Sequence, residues 1–192
     1  MFLKKLALVA VAALSLAGCI SETLDPVTDA ALKPRDVAPD FTIQAAQGGG
    51  DFTFSLRQAL EKGPVVLYFY PKSFTSVCTV EAHEFAEAME QFAAMGASVI
   101  GVSSDKIDTQ REFSSKECRD KFPVGADPEF KVINAYDAAF KIPVAGAMFA
   151  NRISYVIAPD GKILSVVEDS GATTHIQNAL AAVKQWRDAQ GK

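Results

Sequence analysis

At 192 residues, 49% of them apolar, the chain is long enough to bury the core of one domain, and its length argues against a second. A formal net charge of −4, with no basic cluster and no interleaving of aromatic and basic residues, argues against nucleic acid as a partner. The acidity is also too mild for a disordered chain.

The first element is Met1-Phe-Leu-Lys-Lys followed by an apolar run from Leu6 to Leu16. The run is shorter than the roughly 20 residues that a spanning helix needs, so residues 1–18 read as a secretory signal and not as a permanent anchor. Its end, Leu16-Ala17-Gly18-Cys19, is similar to a bacterial lipobox, in which Cys19 is lipidated and becomes the new N-terminus. Ile20 follows where an aspartate often signals retention in the inner membrane. A periplasm-facing lipoprotein of the bacterial cell envelope is therefore expected, with the outer membrane favoured and the lipid as its only membrane contact. An ordinary signal peptide with an incidental cysteine is the plainer alternative. Residues 19–36 are polar, contain Pro26 and Pro34 and show no period; they are expected to form a tether reaching about 20–25 Å as a flexible coil. The folded domain is expected over 37–192.

Within the domain, Phe41 to Ile43 predicts a short first strand, and Gly48-Gly49-Gly50 a turn before Phe52-Thr53-Phe54. No Gly-Lys-Ser/Thr follows those glycines at phosphate-loop spacing, so a turn is the sounder reading. Ser55 to Lys62 predicts a short helix ending at Gly63. Val65 to Tyr70, rich in β-branched and aromatic residues, predicts a buried strand. Pro71 ends it, having no N–H to give to a ladder. A helix then begins with Thr75 or Ser76 as N-cap. It carries Phe85, Met89, Phe92 and Met95 on one apolar face as far as Gly96. Ala97 to Val102 is the next apolar run, and strand, helix, strand at this spacing implies a parallel, right-handed βαβ unit. Another helix is expected from Asp108 or Thr109 through Lys121, then Phe122-Pro123-Val124, a segment around Val132 to Tyr136 and a less regular stretch. Ile153 to Ala158 and Ile163 to Val167 flank Pro159-Asp160-Gly161-Lys162 as a hairpin. A last helix from about Thr174 sets Ile176, Leu180, Val183 and Trp186 on one face. The pattern is α/β, a sheet with helices on both faces.

The helix start at Thr75 or Ser76 places Cys78 in the first turn, where unpaired backbone N–H groups and the macrodipole favour an anion. A thiol there is expected to ionise more readily than free cysteine. A cysteine placed after a strand and a proline, where its thiolate is stabilised, holds a nucleophile's position.

Pro71-x-x-x-Thr75-x-x-Cys78 resembles the active-site signature of the peroxiredoxins, thiol-dependent peroxidases on a thioredoxin-like fold. Val37-Ala38-Pro39-Asp40-Phe41 resembles the segment that opens these domains. Glu81 matches an acidic residue of their active-site network, and Arg152 the arginine that begins a late strand. The similarity runs from about Pro34 to the C-terminus and is greatest to the bacterioferritin comigratory protein class. It implies an α/β, thioredoxin-like fold with a mixed central sheet flanked by helices. It also implies reduction of hydrogen peroxide or organic hydroperoxides through a sulfenic acid on Cys78. In that scheme Thr75 hydrogen-bonds thiolate and peroxide together, Arg152 offers a rigid fork of donors to the same oxygens, Pro71 shields the sulfur from water, and Glu81 holds the arginine by an ion pair. No cofactor and no metal are implied. The implied partners are a hydroperoxide substrate and a thiol reductant, either a thioredoxin-like protein or a small thiol.

Members of that class often carry a resolving cysteine five residues after the first, and this chain departs from them with His83. Some relatives place the resolving cysteine in the next helix, at whose end Cys118 is expected, so an internal Cys78–Cys118 disulfide is one reading. Packing beneath Phe122 in a one-cysteine enzyme is the other. An exported compartment permits the bond, and local unwinding would be needed if the two Cα atoms start more than about 7 Å apart.

His83 and His175 are the only histidines, and with one cysteine they make a thin metal set, lacking a CxxC or HxxxH pair. The missing CxxC also argues against a thioredoxin-type disulfide oxidoreductase. A redox or copper-binding envelope lipoprotein on the same scaffold is the alternative function, and a purely structural lipoprotein the third.

Overall fold

The computed structural model describes residues 32–142 and 146–191. The expected signal sequence over 1–18, Cys19 and the tether through residue 31 lie outside the described residues. In chain order the elements are β1 (Thr42–Gln47), β2 (Gly50–Ser55), α1 (Leu56–Leu60), β3 (Val65–Phe69), α2 (Ser76–Ala94), β4 (Ser98–Ser103), α3 (Ile107–Lys116), β5 (Val124–Ala126), α4 (Lys131–Ala135), β6 (Ala139–Lys141), β7 (Met148–Ala150), β8 (Ile153–Ile157), β9 (Ile163–Glu168) and α5 (Ala172–Ala189). Seven of the strands form one mixed sheet in the order β2-β1-β5-β4-β3-β8-β9, and β6 pairs with β7 separately. The β3–β4 and β4–β5 pairs are parallel, whereas β8 runs antiparallel to β3. The expected βαβ unit is thus β3-α2-β4, and the expected hairpin is β8-β9.

β3 is central and every residue of it is buried, which explains its unbroken apolar sequence. Its side chains alternate between two cores. Val65, Leu67 and Phe69 join the cluster containing Leu56, Leu60, Ile133 and Tyr136, from the side of α1 and α4. Val66 and Tyr68, with Tyr70 just past the strand, join Phe85, Phe92, Phe113, Ile176 and Val183, from the side of α2, α3 and α5. The Tyr68 ring stacks on Phe85 at a centroid distance of 4.4 Å, an arrangement that adds about 0.5–1.5 kcal/mol beyond the area buried. Tyr68 also lies across β4, where a Cβ on Gly101 would meet its ring carbon at 2.6 Å. At the end of α2, Gly96 takes φ +73, the left-handed conformation that closes a helix.

At three places the structure corrects or adds to what the sequence predicts. Residues 33–36 are already attached to the domain, since Arg35 N–H donates to the Ile163 carbonyl and Ile163 N–H to that of Asp36. The segment around Val132 to Tyr136 contains the short helix α4. Finally, α3 ends at Lys116 instead of running through Lys121, so Cys118 lies just beyond its cap, Glu117. There the N–H of Cys118 reaches back to the Phe113 carbonyl, and Arg119 and Asp120 take φ 52 and φ 54, which no helix continues.

Candidate active site

The site is assembled by two neighbouring strand ends and one helix start. β3 pairs with β8 so that Phe69 lies opposite Ile153. Arg152, one residue earlier, therefore sits level with Tyr70 and Pro71, where the chain leaves the sheet for α2. Cys78 is the third residue of α2, and Glu81 lies three further on, on the same face. All three side chains are buried, with residue exposures of 1% for Cys78, 0% for Glu81 and 8% for Arg152.

Arg152 joins the other two. Its Nη2 donates to Cys78 Sγ at 3.1 Å, and its Nη1 donates to Glu81 Oε2. Burial works against the guanidinium charge, but the Glu81 carboxylate and the Cys78 sulfur more than offset it, so the arginine is held protonated. Burial pushes the Glu81 carboxyl up to about 8, against the opposing pull of Arg152. Glu81 Oε1 is buried without a hydrogen-bond partner among the described residues.

Thr75 is the backbone N-cap of α2, but its side chain does not cap the helix. Its hydroxyl donates to the Lys72 carbonyl at 2.9 Å, so the sequence expectation of donation to the sulfur is not met in this structure. In the turn just before it, Phe74 takes φ 64 and rests edge-on against Phe113. Pro71 lines a cleft of ≈ 610 Å³ beside the arginine, together with Phe140, Ala150, Asn151, Arg152, Glu168, Asp169 and Ser170.

A buried polar network, absent from the sequence reading, anchors the loop from Tyr70 to Thr75. Tyr70 donates to Gln110 Oε1 at 2.7 Å, and Ser73 N–H donates to Asp105 at 2.7 Å. Gln110 Nε2 in turn donates to Ser103 Oγ and to the Gly125 carbonyl. Gln110 lies three residues before the buried Phe113 on the inner face of α3, but its hydrogen-bond partners are distant in the chain and only the fold reveals them.

The remaining titratable candidates are placed elsewhere. Cys118 is fully buried and free, as is Cys78, and burial pushes its thiol up, with Glu117 and Asp120 adding to the effect. His83 Nε2 lies 2.8 Å from Glu117 Oε2, joining α2 to the residue before Cys118. His175 sits between Ser154 Oγ and the Asp169 carbonyl, at 2.8 and 3.0 Å. The carbonyl can only accept, so Nε2 carries the proton and Nδ1 accepts from Ser154. Burial lowers the pKa of this imidazole. Among the described residues, no group of three or more His, Cys, Asp or Glu side chains is placed to hold a metal ion.

Residues 34–166 match the AhpC/TSA family. The chain is 30% identical over 156 residues to peroxiredoxin Bcp of Escherichia coli strain K12, covering 80% of this chain and 97% of that protein. It is 32% identical over 154 residues to a putative peroxiredoxin bcp of Helicobacter pylori, covering 79% and 98%. Among solved structures, peroxidoxin BcpB from Mycobacterium tuberculosis superposes with a TM-score of 0.73 at 29% identity, covering 80% of this chain and 97% of that one. Peroxiredoxin Q of Xanthomonas campestris gives a TM-score of 0.70 at 26% identity, covering 83% and 99%.

Proposed function

The chain belongs to the AhpC/TSA family of peroxiredoxins and is a thiol-dependent peroxidase that acts on hydroperoxides with a thiol reductant; from that premise we propose that Cys78 is the sulfur that attacks the peroxide. The thiolate attacks the terminal peroxide oxygen as the O–O bond breaks. Sulfur is oxidised to sulfenic acid, the other oxygen leaves with the electron pair and takes a proton, and an alcohol or water is released. Arg152 supplies N–H donors first to the thiolate and then to the departing oxygen, where negative charge grows. Glu81 fixes the guanidinium, Pro71 limits water at the sulfur, and a small turn of the Thr75 hydroxyl would bring it to sulfur and peroxide. The observation that carries this reading is the 3.1 Å contact of Arg152 Nη2 with Cys78 Sγ.

Cys118 is assigned the resolving role. A His83–Glu117 hydrogen bond and an Arg119–Glu87 ion pair tie its non-helical segment to α2, and their release would let residues 117–122 unwind toward Cys78. The two sulfurs would then join as a disulfide with loss of water, to be reopened by the thiol reductant. Stopped-flow consumption of hydrogen peroxide tests the scheme. Cys78→Ser should lose at least roughly a thousandfold in rate, and wild-type protein given one equivalent of peroxide should show a Cys78–Cys118 linkage by mass spectrometry. Equal rates would overturn the role of Cys78; sulfenic acid without the linkage would overturn that of Cys118.

We also propose that the chain is exported as a lipoprotein through residues 1–18 and Cys19 and acts at the envelope, with the outer membrane favoured and residues 19–31 as a tether. The lysines, the apolar run and the Leu-Ala-Gly-Cys end support this. Cys19→Ala should abolish N-terminal labelling by radioactive palmitate, and label retained by that variant would refute the anchor.

A further inference from the structure

Polar side chains span the gap between α2 and the segment that holds Cys118. His83 Nε2 donates to Glu117 Oε2 at 2.8 Å, and the pair is partly buried, with side-chain exposures of 35% and 21%. One helical turn along α2, Glu87 accepts from Arg119 Nη1 at 3.4 Å, in a pair open to solvent. The two links grip the residues on either side of Cys118. A third comes from β1, where Gln47 Nε2 donates to the Asp120 carbonyl at 3.1 Å. At the far end of the segment, Phe122 is buried edge-on against Tyr68 and Phe85, at ring-centroid distances of 6.0 and 6.2 Å. Between these holds, Arg119 and Asp120 take φ 52 and φ 54, a left-handed conformation that a Cβ makes costly. The segment is thus held closed from both ends around a backbone that gains by rearranging.

We propose that His83 is a positioning residue for Cys118: its hydrogen bond to Glu117 latches residues 117–122 shut, and the opening of this latch sets the rate at which the Cys78–Cys118 disulfide forms. The proposal rests on the resolving role given to Cys118 above. In that step the Cys118 sulfur attacks the sulfenic sulfur of Cys78. An S–S bond forms as the S–O bond breaks, and the hydroxyl leaves with the thiol's proton as water. Cys118 is fully buried where it stands, so the attack must wait for the segment to open. Loss of one partly buried hydrogen bond makes such an opening about fivefold more populated. Loss of the exposed Arg119–Glu87 pair shifts it by about twofold. By timing this step, the latch also fixes how long the sulfenic acid is exposed to a second peroxide, which would oxidise it to the sulfinic acid.

Two measurements test the latch. In a Cys78→Ser background, alkylation of Cys118 by N-ethylmaleimide, located by peptide mass spectrometry, reads the opening by itself. Relative to that background, labelling should be about fivefold faster with His83→Ala and about twofold faster with Glu87→Gln. It should be unchanged with His83→Gln, whose side-chain amide can still donate to Glu117. With Cys78 in place, quenched-flow mass spectrometry follows the reaction with one equivalent of hydrogen peroxide. His83→Ala should form the Cys78–Cys118 linkage about fivefold faster, while the preceding second-order reaction with peroxide keeps its wild-type rate. Equal labelling with and without His83→Ala would overturn the latch, and so would His83→Gln labelling as fast as His83→Ala. Faster labelling without faster linkage would overturn its control of the disulfide step. A matching change in the peroxide reaction would show a general loosening of α2 and overturn the positioning role. If the wild type forms no linkage at all, the resolving role of Cys118 itself fails, a result that the labelling rates keep distinct from failure of the latch.

Discussion

Cys78 and Cys118 are both buried, at 1% and 0% exposure, and belong to the same apolar cluster beneath the sheet. Their immediate neighbours differ. Cys78 stands in the first turn of a 19-residue helix and receives an N–H from Arg152, so its sulfur faces positive partial and full charges. Cys118 lies past the end of α3, between Glu117 and a segment that contains Asp120, and both carboxylates add to the burial that keeps its thiol protonated. Burial alone favours an inert thiol; burial against a guanidinium is the setting from which the proposed nucleophilic role of Cys78 is argued. In the proposed cycle Cys118 reacts only when its segment leaves the core.

The largest effect, short of removing the nucleophile, should follow from removing what separates the two sulfurs. Arg152→Lys keeps the charge but loses the fork that reaches Cys78 and Glu81 together. The stopped-flow rate with hydrogen peroxide is expected to fall by about 10²- to 10³-fold, as for loss of a single donor to a developing oxyanion. A loss below tenfold would mean that the helix start suffices without the arginine.

A smaller effect concerns Glu81. Its carboxyl titrates near 8 in the folded chain, above its value of 4.5 when unfolded. Between those values the folded state binds the extra proton, so this group's contribution is full below pH 4.5 and is lost as pH rises toward 8. Urea unfolding of wild type and Glu81→Gln at pH 5 and pH 8 reads the difference. The wild type should weaken relative to the variant on going to pH 8, by on the order of a few kcal/mol. A gap that is independent of pH would contradict the shift.

The same contrast marks how far the sequence could be read. The strand-proline-helix around Cys78 was legible because each part carries a strong local signal: an apolar run, a missing N–H and a periodic face from Phe85 to Met95. Arg152 and Glu81 were legible through resemblance, and the register of β8 against β3 explains physically why an arginine at that place meets the sulfur. The surroundings of Cys118 were not legible. Its helix stops at Lys116, and Arg119 and Asp120 then take left-handed backbone, which nothing in Glu-Cys-Arg-Asp-Lys announces. The Thr75 hydroxyl, which donates to the Lys72 carbonyl beside the positive-φ residue Phe74, and Gln110, buried against Ser103 and Gly125, are likewise set by the fold and not by any local signal.

The most direct measurement is to add substoichiometric hydrogen peroxide to the reduced protein in the presence of dimedone, quench within milliseconds, and locate the sulfenic acid adduct by peptide mass spectrometry. The adduct is expected on Cys78, exceeding that on Cys118 by roughly a hundredfold or more, with any remaining oxidised protein in the Cys78–Cys118 linkage. Equal adducts on the two cysteines, or an adduct that appears first on Cys118, would contradict the claim that the guanidinium and not burial selects the reactive sulfur.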